Sequence, residues 1–260
     1  MTRRSFALSL AAAGALRAET AKERGKRLVG QVIQGLGGDA FRRMQTRTEI
    51  GRSYSFYREQ INGLAIAHLY TKYLESGEGK GLLQVQRQVF GKKLEDAVIF
   101  TPRESYDVTY RGARPLGDDK FKQYRETTLH DVFYILRERL DEPGMEFEGT
   151  GKDVVENQPV ETIEIYDSEN RNVTVWVNQD TFVPVKQRFY RFDETINDRH
   201  EEVTRYTKYR DVSGVMWPFS ITRERDGGRN FQLYSERVTI NDALADSMFE
   251  LPNGITILKK

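Results

Sequence analysis

The sequence predicts an α+β fold: one domain built on a strongly curved antiparallel sheet, with helices covering its concave, apolar side. Three observations carry this. Two stretches place apolar residues at helical spacing, and each apolar stripe needs a surface to lie on. Roughly ten other stretches are rich in aromatic and β-branched residues and are separated by Gly, Asn and charged turn clusters. No repeat and no Pro/Gly/Ser-rich linker divides the 260 residues, a length that one large β domain can fill.

The chain opens with "MTRRSFALSLAAAGALRA". A basic start, an apolar core from Ser5 to Leu16 and a small residue at Ala18 are the parts of a signal peptide, assigned to residues 1–18 with cleavage near Ala18. The core is too short to span a bilayer, which needs about 20 apolar residues. Arg3-Arg4, with Phe6 two places on, suits the twin-arginine export route. The expected location is the periplasm. The remainder, 19–260, is the folded domain.

Leu28, Val29, Val32, Ile33 and Leu36 follow helical spacing until Gly37-Gly38 stops the helix, and "DAFRRM" adds a turn with Asp39 as its cap. From Thr46 the pattern turns to strands: "TRTEIGRSYSFYREQ", "GLAIAHLYTKYLES", "LLQVQRQVFGKK" and "DAVIFTPRESYDVTYRG". "LAIAHLY" is apolar on both sides, which predicts a strand covered on both faces. Helical spacing returns at Leu129, Val132, Phe133, Leu136 and Leu140, with Thr128 and Asp131 spaced as a capping box and Pro143-Gly144 as the stop.

After Gly149 the strands alternate cleanly. "VETIEIYD" and "NVTVWVN" flank a hairpin turn, with Ile163, Ile165, Val173, Val175 and Val177 on one face. Pro184 and Pro218 mark a strand start, an edge or a bulge, and Asp226-Gly227-Gly228 is a strong turn signal.

Composition excludes several classes. The 40 Lys and Arg include Arg3, Arg4 and Arg17 of the leader, which holds none of the 39 Asp and Glu, so the mature chain is slightly negative. A nucleic-acid binder needs the opposite. Without cysteine there is no disulfide, no thiolate metal site and no lipid attachment point after the leader. His68, His130 and His200 are the only histidines, and no HExxH, Gly-x-Ser-x-Gly or phosphate-binding loop occurs, so no catalytic or cofactor site is assigned. Asp167, Glu169 and Asn170 lie in a hairpin turn, where Asp and Asn serve the backbone, and their spacing lacks the Gly and distal Glu of a calcium loop. No metal site is assigned either.

Several phrases resemble the outer-membrane lipoprotein-sorting proteins of the LolA/LolB-like superfamily: "QGLGGDAFRRMQT", "VTVWVNQDTFVPVKQRFY", "YTKYRDVSGVMWPFSI" and the closing "VTINDALADSMFELP" with its Phe-x-Leu-Pro ending. The resemblance implies an incomplete β-barrel, open on one side, with helices as a lid over an apolar cavity. It implies a non-catalytic carrier whose partner is a lipid or an acylated polypeptide. The section from Tyr54 to Arg114 departs from the carriers of the family, which leaves the cargo open. An alternative within the same fold is an envelope interaction or stress-sensing module that contacts a membrane protein through the concave surface. The chain is expected to act as a monomer.

Physical chemistry agrees with a carrier. Burying acyl carbon is worth about 0.8 kcal/mol per CH₂, so a chain of about sixteen carbons gains on the order of 12 kcal/mol. A soluble shuttle therefore needs a dry cavity, and aromatic residues suit its lining. Tyr54, Phe56, Phe189, Trp217, Phe219 and Phe231 are the candidate wall, and Leu129, Phe133 and Leu136 the candidate lid.

Overall fold

The computed structural model describes residues 18–75, 81–91, 96–193 and 196–259. The leader assigned to residues 1–18 lies outside them except for Ala18. Helix α1 (Ala21–Gly35) starts at a full capping box: Glu23 N–H donates to Thr20 Oγ1, and Thr20 N–H donates back to the Glu23 carboxylate. It ends at Gly37, whose positive φ of 115° suits glycine. Helix α2 (Asp39–Arg42) follows. Its cap is Gly38 and not the expected Asp39, which sits in the first turn and pairs with Arg43 instead.

Among the described residues one antiparallel sheet contains thirteen strands. Six precede the next helix: β1 (Thr46–Tyr57), β2 (Gln60–Tyr73), β3 (Gln84–Phe90), β4 (Asp96–Phe100), β5 (Ser105–Thr109) and β6 (Gly112–Pro115). Seven follow: β7 (Glu146–Val155), β8 (Gln158–Tyr166), β9 (Asn172–Asn178), β10 (Pro184–Asp193), β11 (Asp198–Val212), β12 (Val215–Arg225) and β13 (Gly228–Ile240). The spatial order runs β6-β5-β4-β3-β2-β1-β13-β12-β11-β10-β9-β8-β7. Each half is a meander, and the β1–β13 pairing joins them. The sheet does not close: β7 is one edge, and β6 at the other carries only a short parallel bridge from Ala113 to Ile257. Both prolines mark ladder breaks as expected, Pro184 by starting β10 and Pro218 by lying where β12 is not paired with β13.

The helical segment between the halves differs from its sequence pattern. Helix α3 (Asp118–Leu129) ends with His130 as its C-cap, and α4 (Val132–Tyr134) continues into a π-helical turn, Ile135–Arg139. Asp131 is not the third residue of a box begun by Thr128. It is itself the cap, extended at ψ 123°, and its carboxylate accepts from Phe133 N–H at 2.9 Å and Tyr134 N–H at 3.1 Å. Thr128 instead donates to the Tyr124 carbonyl.

This short segment shows why the sheet must curve. The N–H of Val132 reaches Gln187 in β10, while Tyr134 Oη accepts from the Leu83 N–H just before β3. On a flat sheet β3 and β10 would be six strand spacings apart, about 29 Å at ~4.8 Å each. One helical turn cannot bridge that, so the sheet wraps around it. Register shifts at Ile50/Gly51, Ser55/Phe56, Gly149/Gly151 and Arg223/Glu224 add the local twist that wrapping needs.

The core fills the concave side. Leu28, Val29, Val32 and Leu36 of α1 join Phe147, Ile163, Ile165, Val173, Val175 and Val177 of β7–β9, so the shared face read from "VETIEIYD" and "NVTVWVN" is the buried one. Helix α1 sits directly on β7: a Cβ on Gly25 would lie 2.2 Å from the Phe147 carbonyl oxygen. Gly25→Ala is therefore expected to cost about 2 kcal/mol although alanine is the better helix former. Gly30→Ala, with nothing near its Cβ, should stabilise by about 0.5–1 kcal/mol. Denaturant titration of both variants checks the pair.

The strand "LAIAHLY" is not covered on both faces. Leu64 is 63% and Ile66 41% exposed, and with Tyr57 and Ile61 they leave apolar side chains on the outer surface.

Candidate functional site

Between the sheet and the lid formed by α3 and α4 lies a cavity of about 450 Å³. That is within the roughly 300–1,000 Å³ of small-molecule sites. Its floor is aromatic. Phe133 of α4 meets Trp217 of β12 at 4.7 Å between ring centroids and Tyr206 of β11 at 5.0 Å, edge to face. Leu69, Ile221, Phe231 and Leu233 extend the apolar wall on the sheet side. Phe100 and Tyr124, stacked at 3.8 Å, close it beneath α3.

Of the residues expected to form wall and lid, Phe133, Phe189, Trp217 and Phe231 line this cavity. Leu136, 1% exposed, and Phe219 are packed in the main core instead. Leu129 joins Leu82 and Tyr134 in a separate small cluster. Tyr54 and Phe56 lie elsewhere. Register puts Ser53 opposite Leu233 and Ser55 opposite Phe231, so it is the serines that share the inner face. Tyr54 consequently points outward and packs edge-on against Tyr234 at 5.9 Å, while Arg229 covers the Phe56 ring at 5.0 Å.

The cavity is more polar than its expected lining. Arg47 lies 4.1 Å above the Trp217 ring, with Glu49 at 2.9 Å and Tyr73 Oη at 2.6 Å from its guanidinium nitrogens. Burial opposes the charge on Arg47, yet Tyr73, Glu49 and Asp131 around it hold its pKa above the ordinary value. Burial likewise pushes the Asp131 carboxyl up, against its two backbone hydrogen bonds and the charges of Arg223 and Arg47. Gln84, Gln86 and Gln88 line the β3 wall. Their signal is present in "QVQRQ", where strict alternation places three amides on one face. Two lining residues, Trp217 and Asn230, keep a buried polar atom (Nε1 and Oδ1) without a partner among the described residues.

Gln187 ties the lid to the sheet. Only 2% exposed, it accepts from Val132 N–H at 2.9 Å and Tyr206 Oη–H at 2.8 Å, and donates to the His130 carbonyl at 3.2 Å. A second tie is electrostatic: Arg139 donates to Asp167 at 2.7 Å, and Arg171 reaches the same carboxylate at 2.8 Å. Burial opposes ionisation of Asp167, but hydrogen bonds from Arg139 and the turn backbone, with the Arg171 charge, outweigh it and hold the carboxyl below the usual range.

The three histidines are dispersed. His130 stacks on Phe189 at 4.2 Å and is bonded to the Glu126 carbonyl, His68 lies beside Tyr70, and His200 beside Asp226. Among the described residues no three His, Asp or Glu side chains gather as a metal site would require.

An unclosed antiparallel sheet wrapped around a helical lid, with a cavity between them, defines a divergent LolA-like fold. Solved structures agree. A DUF1329 family protein from Desulfovibrio piger superimposes with a TM-score of 0.62 at 12% identity, over 87% of this chain and 97% of that one. A putative outer membrane lipoprotein-sorting protein domain from Vibrio parahaemolyticus gives 0.57 at 10% identity, over 88% and 97%. A LolA superfamily protein from Nitrosomonas europaea gives 0.53 at 16% identity, over 90% and 98%. At these identities the likeness is one of fold. No protein-family model matches the sequence, and no curated protein matches it either.

Proposed function

We propose that this protein is an exported, periplasmic, non-catalytic carrier or binding protein that holds a lipid or an acylated polypeptide in its cavity as a monomer. The observation that carries the reading is the aromatic-floored cavity under a helical lid. The fold shared with a domain described as lipoprotein-sorting and the leader read in residues 1–18 support it. The chemistry required is burial of acyl carbon, which Phe133, Trp217, Ile221 and Phe231 supply without any reacting group. The second reading, an envelope module that binds a polypeptide through the same concave surface, is favoured by the amide wall of Gln84, Gln86 and Gln88.

The test is native mass spectrometry of the protein purified gently from the cell envelope, together with uptake of a fluorescent fatty acid. A bound lipid or saturable uptake is expected. Ile221→Asp, which places a negative charge in the apolar wall at a half-buried position, should weaken uptake at least tenfold while leaving the fold intact. A clean apo mass with no uptake, and a specific envelope protein captured instead, would establish the second reading.

A further inference from the structure

The charges around the cavity do not cancel, and their placement gives the ligand a direction. Two ion pairs are satisfied internally: Arg47 with Glu49 at 2.9 Å, and Arg225 with Glu202 at 2.8 Å, the latter carboxylate also taking Arg191 at 3.2 Å. Asp131 is committed to capping α4. That leaves Arg223 on β12, whose charge acts on Asp131 without an ion-pair contact, and Lys120 on α3. Both line the cavity and both are exposed to solvent. Neither is in an ion pair among the described residues, and the Arg223 guanidinium lies 5.7 Å from the centre of the Phe231 ring.

Position along β12 orders these groups. Trp217, Ile221, Arg223 and Arg225 share the cavity face, from a floor residue that is 2% exposed to the exposed Arg223 and the half-buried Arg225. Six residues of strand separate Trp217 from Arg223, about 20 Å at ~3.3 Å per residue, a span that accommodates a long acyl chain. An apolar trough lined by two exposed cations, one on the sheet and one on the lid helix, is the layout of a site for an amphiphile whose head is negative. Asn230, flanking Phe231 on the neighbouring strand, adds a buried carbonyl oxygen without a partner, suited to a head-group hydroxyl.

Resting on the carrier reading above, we infer that the cavity selects an anionic amphiphile, its chain directed to Trp217 and Phe133 and its carboxylate or phosphate held between Arg223 and Lys120. Neutral esters of the same chain fill the trough but leave both cations unanswered. Two solvent-exposed charge contacts together are worth about tenfold in affinity.

The experiment is displacement of a fluorescent hydrophobic reporter from the mature protein by four ligands of one chain length: the fatty acid, its methyl ester, the lysophosphatidic acid and an alkyltrimethylammonium salt. The two anions are expected to bind about tenfold tighter than the ester, and the ammonium salt more weakly than the ester. Whichever anion binds tighter identifies the carboxylate or the phosphate as the natural head. In Arg223→Gln/Lys120→Gln the anion preference should fall below about threefold with ester affinity unchanged; both sites are exposed, and an unaltered melting temperature shows that the fold survives. Equal binding of acid and ester by the unmodified protein would overturn the head-group inference while leaving the carrier intact. Failure of all four ligands to displace or bind would instead overturn the carrier reading itself.

Discussion

Replacing Asp167 by Ala is expected to destabilise the protein by about 3–4 kcal/mol. The carboxylate is 4% exposed and accepts four hydrogen bonds: from Arg139 and Arg171 side chains and from the backbone N–H groups of Glu169 and Arg171. Its loss strands the Arg139 guanidinium, itself 7% exposed, with the Leu129 carbonyl and the half-exposed Glu142 as its remaining partners among the described residues. Breaking a buried pair by removing one member costs more than the pair contributes, because a charge is left in a low-dielectric site. The pH dependence has a definite sign. The folded-state pKa of Asp167 lies below its unfolded value, so the pair stabilises the protein fully above the ordinary carboxylate range. That contribution is lost as pH falls from about 4 through the folded-state value. Asp167→Asn cannot titrate, so its melting temperature should fall less steeply between pH 5 and pH 2 than that of the unmodified protein. Parallel slopes would show that the carboxylate does not carry the acid sensitivity.

Gln187→Leu is expected to cost about 3 kcal/mol at nearly constant volume. Leucine restores the shape of the side chain but leaves the Val132 N–H and the His130 carbonyl buried without the Gln187 partner and removes one acceptor from the Tyr206 hydroxyl. Each orphan carries a desolvation cost of about 1–3 kcal/mol, partly relieved if the lid lifts to admit water. The change should therefore appear in two places. Global stability drops, and hydrogen exchange at Val132–Arg139 accelerates more than exchange in α1, which Gln187 does not touch. Uniform acceleration across both segments would mean that the amide supports the whole core and not the lid.

These two ties explain why the lid was harder to read than the sheet. Helix α1, the β8–β9 face and the turn at Asp226-Gly227 were legible because each is written in neighbouring residues: a 3.6 period with its cap, a period of two, or a dipeptide whose residues take φ of 49° and 78°. Local pattern also carried the resemblance that led to the LolA-like architecture. The lid pattern was real as well, but the sequence starts its helix at Thr128, three residues before the Asp131 cap, and does not show α3 ahead of it. The break at His130-Asp131 is stabilised by Gln187, 57 residues from His130. No window of local sequence contains both. Asp167 likewise reads as an ordinary turn residue until folding brings Arg139 to it.

The sequence by itself determined the class of fold, the outline of its main elements, the aromatic supply for a cavity and the absence of thiol chemistry. Each follows from composition or short-range periodicity, which fixes how a segment can bury its apolar face. Only the tertiary structure decided which aromatics face the cavity. The pairing of β1 with β13 turned Ser53 and Ser55 inward and Tyr54 outward, and a sheet allows only those two choices. It also decided that the cavity carries charge. Arg47 and Glu49 of β1, Arg223 of β12 and Lys120 of α3 come from three separate elements, and Asp131 from the link between α3 and α4. Their proximity is a property of the curvature of the sheet, which arises from long-range pairing and from the lid it wraps.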